Sequence, residues 1–204
     1  MTQPQETKIV MADPTALGVF GLSLMTFVAS TSKFGWTTGS VYLIPWAVFL
    51  GSIAQLWAAA IDFKRNNYFG AVVLGAFGLF WMAVAMVWAI SNGWFGTVPG
   101  NADMKQFGYA CFAYFFFCCF ITVAAFEANK VFGAIMVLIL VLLATLGLQL
   151  LGIEPELCGK LAAMSEFAIS ILGFYASGAM FLNAFFGRTL LSLGAPMGWI
   201  KKGG

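Results

Sequence analysis

Apolar residues run almost unbroken through six stretches of this chain, Leu17–Ser32, Val41–Ile61, Phe69–Ile90, Phe107–Phe126, Val131–Leu151 and Leu161–Phe186, and polar residues gather in the short connectors between them. Every stretch except the first reaches the roughly 20 residues that carry a helix across the hydrocarbon core of a bilayer, and the first is short but usable. In hydrocarbon each backbone N–H and C=O must be paired internally, which leaves helices or closed barrels. Continuous apolar runs, rather than alternation at period two, fit helices. The pattern therefore predicts an all-α polytopic membrane protein of six transmembrane helices. The connectors are short enough to force successive helices to be antiparallel neighbours in a compact bundle.

Composition agrees: 61% hydrophobic residues, 9% charged residues and a mean hydropathy of +0.92 leave too little polar surface for a water-soluble fold of 204 residues. Residues 1–16 read as a loose tail without the basic start, apolar middle and small-residue cleavage site of a secretory signal. Sorting the basic residues by connector puts Lys8, Lys64, Arg65, Lys130, Arg188, Lys201 and Lys202 on one side and Lys33, Lys105 and Lys160 on the other. Basic residues near span ends are retained in the cytoplasm, so seven against three predicts both termini inside. The expected organisation is a cytoplasmic tail (1–16), a six-helix transmembrane domain (17–187) and a second cytoplasmic tail (188–204). The net charge of +2 reflects that topology, and its scatter argues against a nucleic-acid surface.

Cys111, Cys118 and Cys119 fall in the fourth span and Cys158 in an outer connector, with no histidine anywhere, so neither a disulfide framework nor a metal site is expected. No cofactor motif and no nucleophile with a base is present, so an enzyme is not expected either. Asn-x-x-Phe-Gly occurs at Asn66–Gly70, Asn129–Gly133 and Asn183–Gly187, each near the cytoplasmic end of an even-numbered helix. This is the spacing of a parallel repeat of two-helix hairpins, or simply of Asn residues that start or end helices beside a Gly.

The spans lack ionisable residues near their middles, and Glu166 is expected about two turns into the sixth helix, facing the interface. Proton pumps with carboxylate relays and retinal proteins with a mid-helix lysine are thereby disfavoured. The polar groups that remain are uncharged, among them Ser23 and Thr26 in the first helix, Ser52 and Gln55 in the second, and Thr122, Thr145, Gln149, Ser170 and Ser177 later. Gln55 carries two donors and an acceptor into hydrocarbon, where leaving them unpaired costs several kcal/mol. It either bonds a neighbouring helix or replaces part of a solute's hydration shell in a pore. Gly18 with Gly21, Gly75 with Gly78, and Gly173 with Ser177 either let backbones approach or leave room for a small solute.

Asp13-Pro14-Thr15-Ala16-Leu17-Gly18 resembles the Asn-Pro-Ala-Pro-Leu-Gly signature that opens the first helix of the succinate–acetate permease family, the acetate uptake transporters. Gly51-Ser52-Ile53-Ala54-Gln55 resembles the family's Gly-Gly-Ile-Ala-Gln motif. Asp62-Phe63-Lys64 through Phe69-Gly70 resembles its acidic-aromatic-basic loop, and Phe186-Gly187-Arg188-Thr189-Leu190 its Phe-Gly-Arg-Thr motif. The four landmarks follow the family's order from about residue 13 to 194.

The resemblance implies a six-helix protomer with its own central pore, assembled as a homo-hexamer. It would pass acetate and related small monocarboxylates, with succinate as a further substrate, across the plasma membrane, linked to protons. It places Gln55 on the substrate pathway, with Ser23, Thr26 and Gly21 beside it, and Leu22, Phe77 and Ile139 at a hydrophobic constriction where the family has Phe, Tyr and Leu. Asp13 replaces the family's Asn and is expected to cap the first helix rather than face the vestibule. A channel for a small neutral solute such as urea or ammonia, and a membrane scaffold or stress protein, are the alternatives the composition allows.

Overall fold

The computed structural model describes residues 11–200, and no strand occurs among them. Six helices are long and apolar enough to cross a membrane: α1 (Thr15–Lys33), α2 (Leu43–Lys64), α3 (Tyr68–Ser91), α4 (Lys105–Ala128), α5 (Lys130–Leu150) and α6 (Pro155–Phe186). The protein is a multi-pass membrane protein, as the six apolar runs predict. The expected tail at 1–16 falls mostly outside the described residues.

Local chemistry sets the helix ends. At the start of α1 Pro14 holds the cap position, and the Asp13 carboxylate one residue earlier accepts the Thr15 N–H at 2.9 Å. Asn67 and Asn129 begin α3 and α5, their side-chain carbonyls accepting the N–H of Gly70 and of Phe132. Such caps are worth about 1 kcal/mol each. Pro155 occupies the first turn of α6, where its missing N–H costs nothing. That helix thus starts six residues before its apolar run, drawing Cys158 into the helix and burying it, rather than leaving it in a connector. Gly187, in the left-handed region at φ 62°, ends it.

The three copies of Asn-x-x-Phe-Gly differ: Asn66 lies in the left-handed region at φ 58° just before the Asn67 cap, Asn129 is itself a cap, and Asn183 falls inside a helix. Asn66–Gly70 and Asn129–Gly133 each start a helix, and their Phe69 and Phe132 rings stack at 6.2 Å. Asn183 instead lies inside α6, where its side chain accepts the N–H groups of Leu190 and Leu191 and donates to the Leu191 carbonyl. It thereby turns the chain back across the bundle. The returning segment ends on α4, where the Glu127 carboxylate accepts the N–H groups of Gly198, Trp199 and Ile200.

In the bundle α1 packs on α2 and α6, α2 on α3, α4 on α5, and α5 on α6, and only a sparse contact between α3 and α4 closes the ring. The backbones of α3 and α5 do not approach one another among the described residues, although side chains of both line common cavities. The open space of the bundle is therefore between these two helices. Residues 11–14, the α2–α3 and α4–α5 turns and residues 187–200 share one end, called here the terminal end. The connectors after α1, α3 and α5 form the distal end.

Part of α2 is not α-helical. Ala47–Ala54 is a π-helix, bonded i to i+5, followed directly by Gln55. The wider turns rotate everything after them relative to an uninterrupted α-helix, so the face that Gln55 presents is set by this segment.

Candidate functional site

Most polar side chains within the spans are satisfied by their own helix. Ser23 donates to the Val19 carbonyl at 2.6 Å, Thr26 to Leu22 at 2.9 Å, Thr122 to Cys118 at 2.7 Å, Thr145 to Val141 at 2.7 Å and Ser170 to Phe167 at 2.6 Å. Ser177 instead bonds between helices, to Ala16 of α1 at 2.7 Å. Back-bonding of this kind closes a hydroxyl to other partners at little cost. Three buried side-chain atoms are left without a partner among the described residues: Ser52 Oγ, Gln55 Oε1 and Trp81 Nε1. All three sit on the α2–α3 pair, where a Cβ placed on Gly51 would press on the Trp81 side chain.

Two cavities lie in line between α3 and α5. The first, of about 40 Å³, is toward the terminal end and is lined by Leu22, Phe77, Ile139 and Gln55 as well as the stacked Phe69 and Phe132. Apart from Thr15, its walls are apolar except for Gln55, which is fully buried. The Gln55 amide nitrogen donates to the Gly51 carbonyl of its own helix at 2.7 Å. Only the nitrogen end of an amide can bond a carbonyl, so the oxygen is the end left open.

One turn further along α3 and α5 the second cavity opens, at about 180 Å³ the roomier of the two. Phe80, Trp81, Trp88 and Leu143 contribute to its wall, and Lys33 of α1 and Glu166 of α6 complete it with an ion pair at 2.6 Å. Glu166 is only 3% exposed. It does not face the interface: with α6 starting at Pro155 it lies about three turns in, and it points to α1.

At the terminal mouth Arg65 bonds two carboxylates, Asp13 at 3.0 Å and the fully buried Asp62 at 3.2 Å, and Thr15 donates weakly to Asp62 at 3.5 Å. Partial burial works against ionisation of Asp13, but hydrogen bonds from Arg65 and Thr15 outweigh it and hold the carboxyl below its ordinary value. Asp13 therefore bonds the first N–H of α1 and ties its start to the end of α2.

A family model, described as the GPR1/FUN34/yaaH family, matches residues 2–192. The chain belongs to the GPR1/FUN34/yaaH family. This is the acetate uptake transporter family that the four motifs resemble. Within it, the chain is 26% identical over 77 residues to the succinate-acetate/proton symporter SatP of Escherichia coli, a match that covers 38% of this chain and 41% of that one. It is 34% identical over 98 residues to the ammonia transport outward protein 2 of Saccharomyces cerevisiae, covering 47% and 33%. The matched stretches thus span about half the length or less of these curated relatives. A solved structure of the bacterial acetate channel SatP superposes with a TM-score of 0.83 at 20% identity, over 91% of this chain and all of that chain. At that identity the likeness shows the fold.

For this member of the GPR1/FUN34/yaaH family, the side chains singled out in the sequence separate into two groups. Gln55, Leu22, Phe77 and Ile139 come from four helices and meet in the terminal cavity. Ser23, Thr26 and Gly21 do not line it. A Cβ on Gly173 of α6 would collide with Ser23 Oγ, a Cβ on Gly21 would collide with the Leu50 carbonyl in the π-helical segment, and Thr26 is closed on α1 itself. These three positions serve close helix packing. Lys33, Glu166 and Trp81 were not anticipated as a group. The residue types were visible, but nothing in the spacing of Lys33 and Glu166, 133 positions apart, indicates that α1 and α6 are neighbours. The aromatic run of α4 also divides: Phe116 faces outward at 65% exposed, whereas Tyr114 turns inward and donates to the Ala76 carbonyl of α3 at 3.1 Å.

Proposed function

We propose that this chain passes acetate and related small monocarboxylates, succinate included, across the plasma membrane in a proton-linked manner. The path runs through the distal cavity, the apolar constriction at Leu22, Phe77 and Ile139, and the terminal cavity. The working unit is a homo-hexamer of six-helix protomers, each with its own central pore. Both termini are cytoplasmic, so residues 1–16 and 188–204 are short tails on a transporter domain of 17–187, and the terminal end faces the cytoplasm. No cofactor, metal or catalytic residue has a role in this reading.

The observation that carries it is Gln55, which lines an otherwise apolar, narrow cavity and whose carbonyl oxygen is buried without a partner among the described residues. A buried acceptor left unbonded costs about 1–3 kcal/mol, and a passing solute that donates to it recovers that cost. Membership of the family, and relatives named as a succinate-acetate/proton symporter and an acetate channel, support a small carboxylic acid as that solute, which donates through its O–H when undissociated. The test is uptake of radiolabelled acetate into proteoliposomes with and without an inward proton gradient. Gradient-driven uptake is expected; no acetate flux under any gradient rules the reading out.

A second reading is favoured by the same oxygen and by the yeast relative named for ammonia transport: a neutral nitrogen donor could also bond Gln55. If ammonia is the solute, methylammonium flux is saturable and acetate does not compete with it.

A further inference from the structure

The distal cavity holds more binding capacity than its resting contacts use. The Lys33 ammonium has three donors and gives one to Glu166 Oε2; no other protein acceptor is bonded to it among the described residues. It keeps 22% of its side-chain surface open to the distal end, while Glu166 is sealed behind it. Trp81 lines the same cavity, and its indole N–H is buried without a partner among the described residues. Two spare ammonium donors, a spare indole donor and apolar walls fit a small monocarboxylate, whose charged end accepts and whose tail avoids water.

Resting on the carboxylate reading above, we propose that Lys33–Glu166 is an exchangeable ion pair: an entering monocarboxylate takes over the Lys33 ammonium, and Glu166 binds the proton that enters with it. Charge decides why the proton must come too. An anion added alone would leave a net negative charge in a largely apolar cavity, which is costly. An anion and a proton together leave the cavity neutral, as it was. On the inward step the O–H bond on Glu166 breaks and one forms on the solute carboxylate. The neutral acid moves through the constriction toward the Gln55 oxygen, and Glu166 pairs with Lys33 again. One acid molecule, as anion plus proton, has been moved, and both side chains are returned.

Few other ionisable groups compete for this proton. The segments of α3 and α5 that line the cavity contribute only apolar and aromatic side chains. From α4 the Cys111 thiol is buried within electrostatic reach of Lys33, while Lys105 of α4 and Lys160 of α6 lie on exposed positions.

The experiment uses the full chain in proteoliposomes with an internal pH dye and radiolabelled acetate. If the native protein carries no acetate, the transport reading itself fails, whatever the variants do. If it does, Glu166→Gln is expected to reduce gradient-driven accumulation by about tenfold or more and to flatten its pH profile, with partial recovery in Glu166→Asp. Lys33→Gln is expected to raise the KM for acetate about tenfold, and Lys33→Arg much less. Should a single variant fail to fold because it strands a lone buried charge, the double variant Lys33→Gln/Glu166→Gln removes both charges and is expected to fold without driven accumulation. Native accumulation and pH profile in Glu166→Gln or in the double variant, or a native KM in Lys33→Gln, would overturn the proposal and leave the pair a structural clasp between α1 and α6.

Discussion

Replacing Gln55 with methionine separates packing from passage, because the two predict opposite signs. The side chains are close in length and volume, so the cavity wall keeps its shape. In the resting protein the substitution removes one hydrogen bond, from the amide to the Gly51 carbonyl. Within a membrane such a bond is worth about 0.6–1.5 kcal/mol. It also removes a buried carbonyl oxygen with no partner, a liability of about 1–3 kcal/mol. The balance is close to zero or favours methionine, so Gln55→Met should unfold at the native temperature or slightly above it. During passage the variant loses the bond to the solute, about 1–2 kcal/mol, which is about fivefold to thirtyfold in rate at 1.4 kcal/mol per decade. The assay pairs initial acetate uptake in proteoliposomes with thermal unfolding of the purified protein in detergent. Native flux together with a lower unfolding temperature would show that Gln55 only holds helices together, and the assignment of its oxygen to the path would be lost.

Three further outcomes follow from the geometry. Phe77→Leu opens the wall of the terminal cavity, so propionate and butyrate should gain on acetate by roughly tenfold in competition, the usual worth of a methylene in an apolar pocket; an unchanged ratio would place the selective point elsewhere. Gly173→Ala drives a methyl into Ser23 Oγ and should cost about 1–3 kcal/mol of stability, most of it recovered by adding Ser23→Ala, and a double-mutant cycle without coupling would contradict the packing of α1 on α6. Because Asp13 is held below its ordinary value of 3.8, its contribution to stability is full above that value and is lost as pH falls through the depressed one. The unfolding temperature of Asp13→Asn should therefore approach that of the native protein on the acid side, and an equal gap at every pH would show that the charge is not involved.

How much of this was legible beforehand depends on whether the cause is local. Six apolar runs gave the six helices, since length and hydropathy are properties of each segment alone. Pro14, Asn129 and Gly187 mark ends for equally local reasons, whereas at α3 the motif pointed to Asn66 and the cap is its neighbour Asn67. Gln55 announced itself because an amide in hydrocarbon is costly anywhere. What could not be read is which polar groups remain open. Ser23 and Thr26 look as promising in the sequence as Ser52 and Gln55, yet the first two bond back to α1 and the second two do not fully bond within α2. The difference traces to the π-helical segment Ala47–Ala54, for which no residue pattern was recognised. Glu166 was misplaced for a related reason: the extra turns of α6 ahead of its apolar run, and the neighbourhood of α1, are set by the bundle rather than by the segment.

On the proposed reading, the open groups also favour one protonation state for the solute that crosses. The terminal cavity offers an acceptor, Gln55 Oε1, and the wall one turn beyond the constriction offers a donor, Trp81 Nε1–H. A carboxylate only accepts and would leave Gln55 unpaired and repelled, whereas the undissociated acid both donates and accepts. Acetamide has nearly the same size, donates through nitrogen, accepts through oxygen and carries no charge at any accessible pH. It should therefore pass the constriction at a rate independent of pH, remain sensitive to Gln55→Met, and be indifferent to Lys33→Gln and Glu166→Gln. Stopped-flow swelling of proteoliposomes in acetamide measures this directly. Exclusion of acetamide by a protein that carries acetate would mean that the narrow region selects for the anion, and the pairing of solute with Gln55 would have to be abandoned.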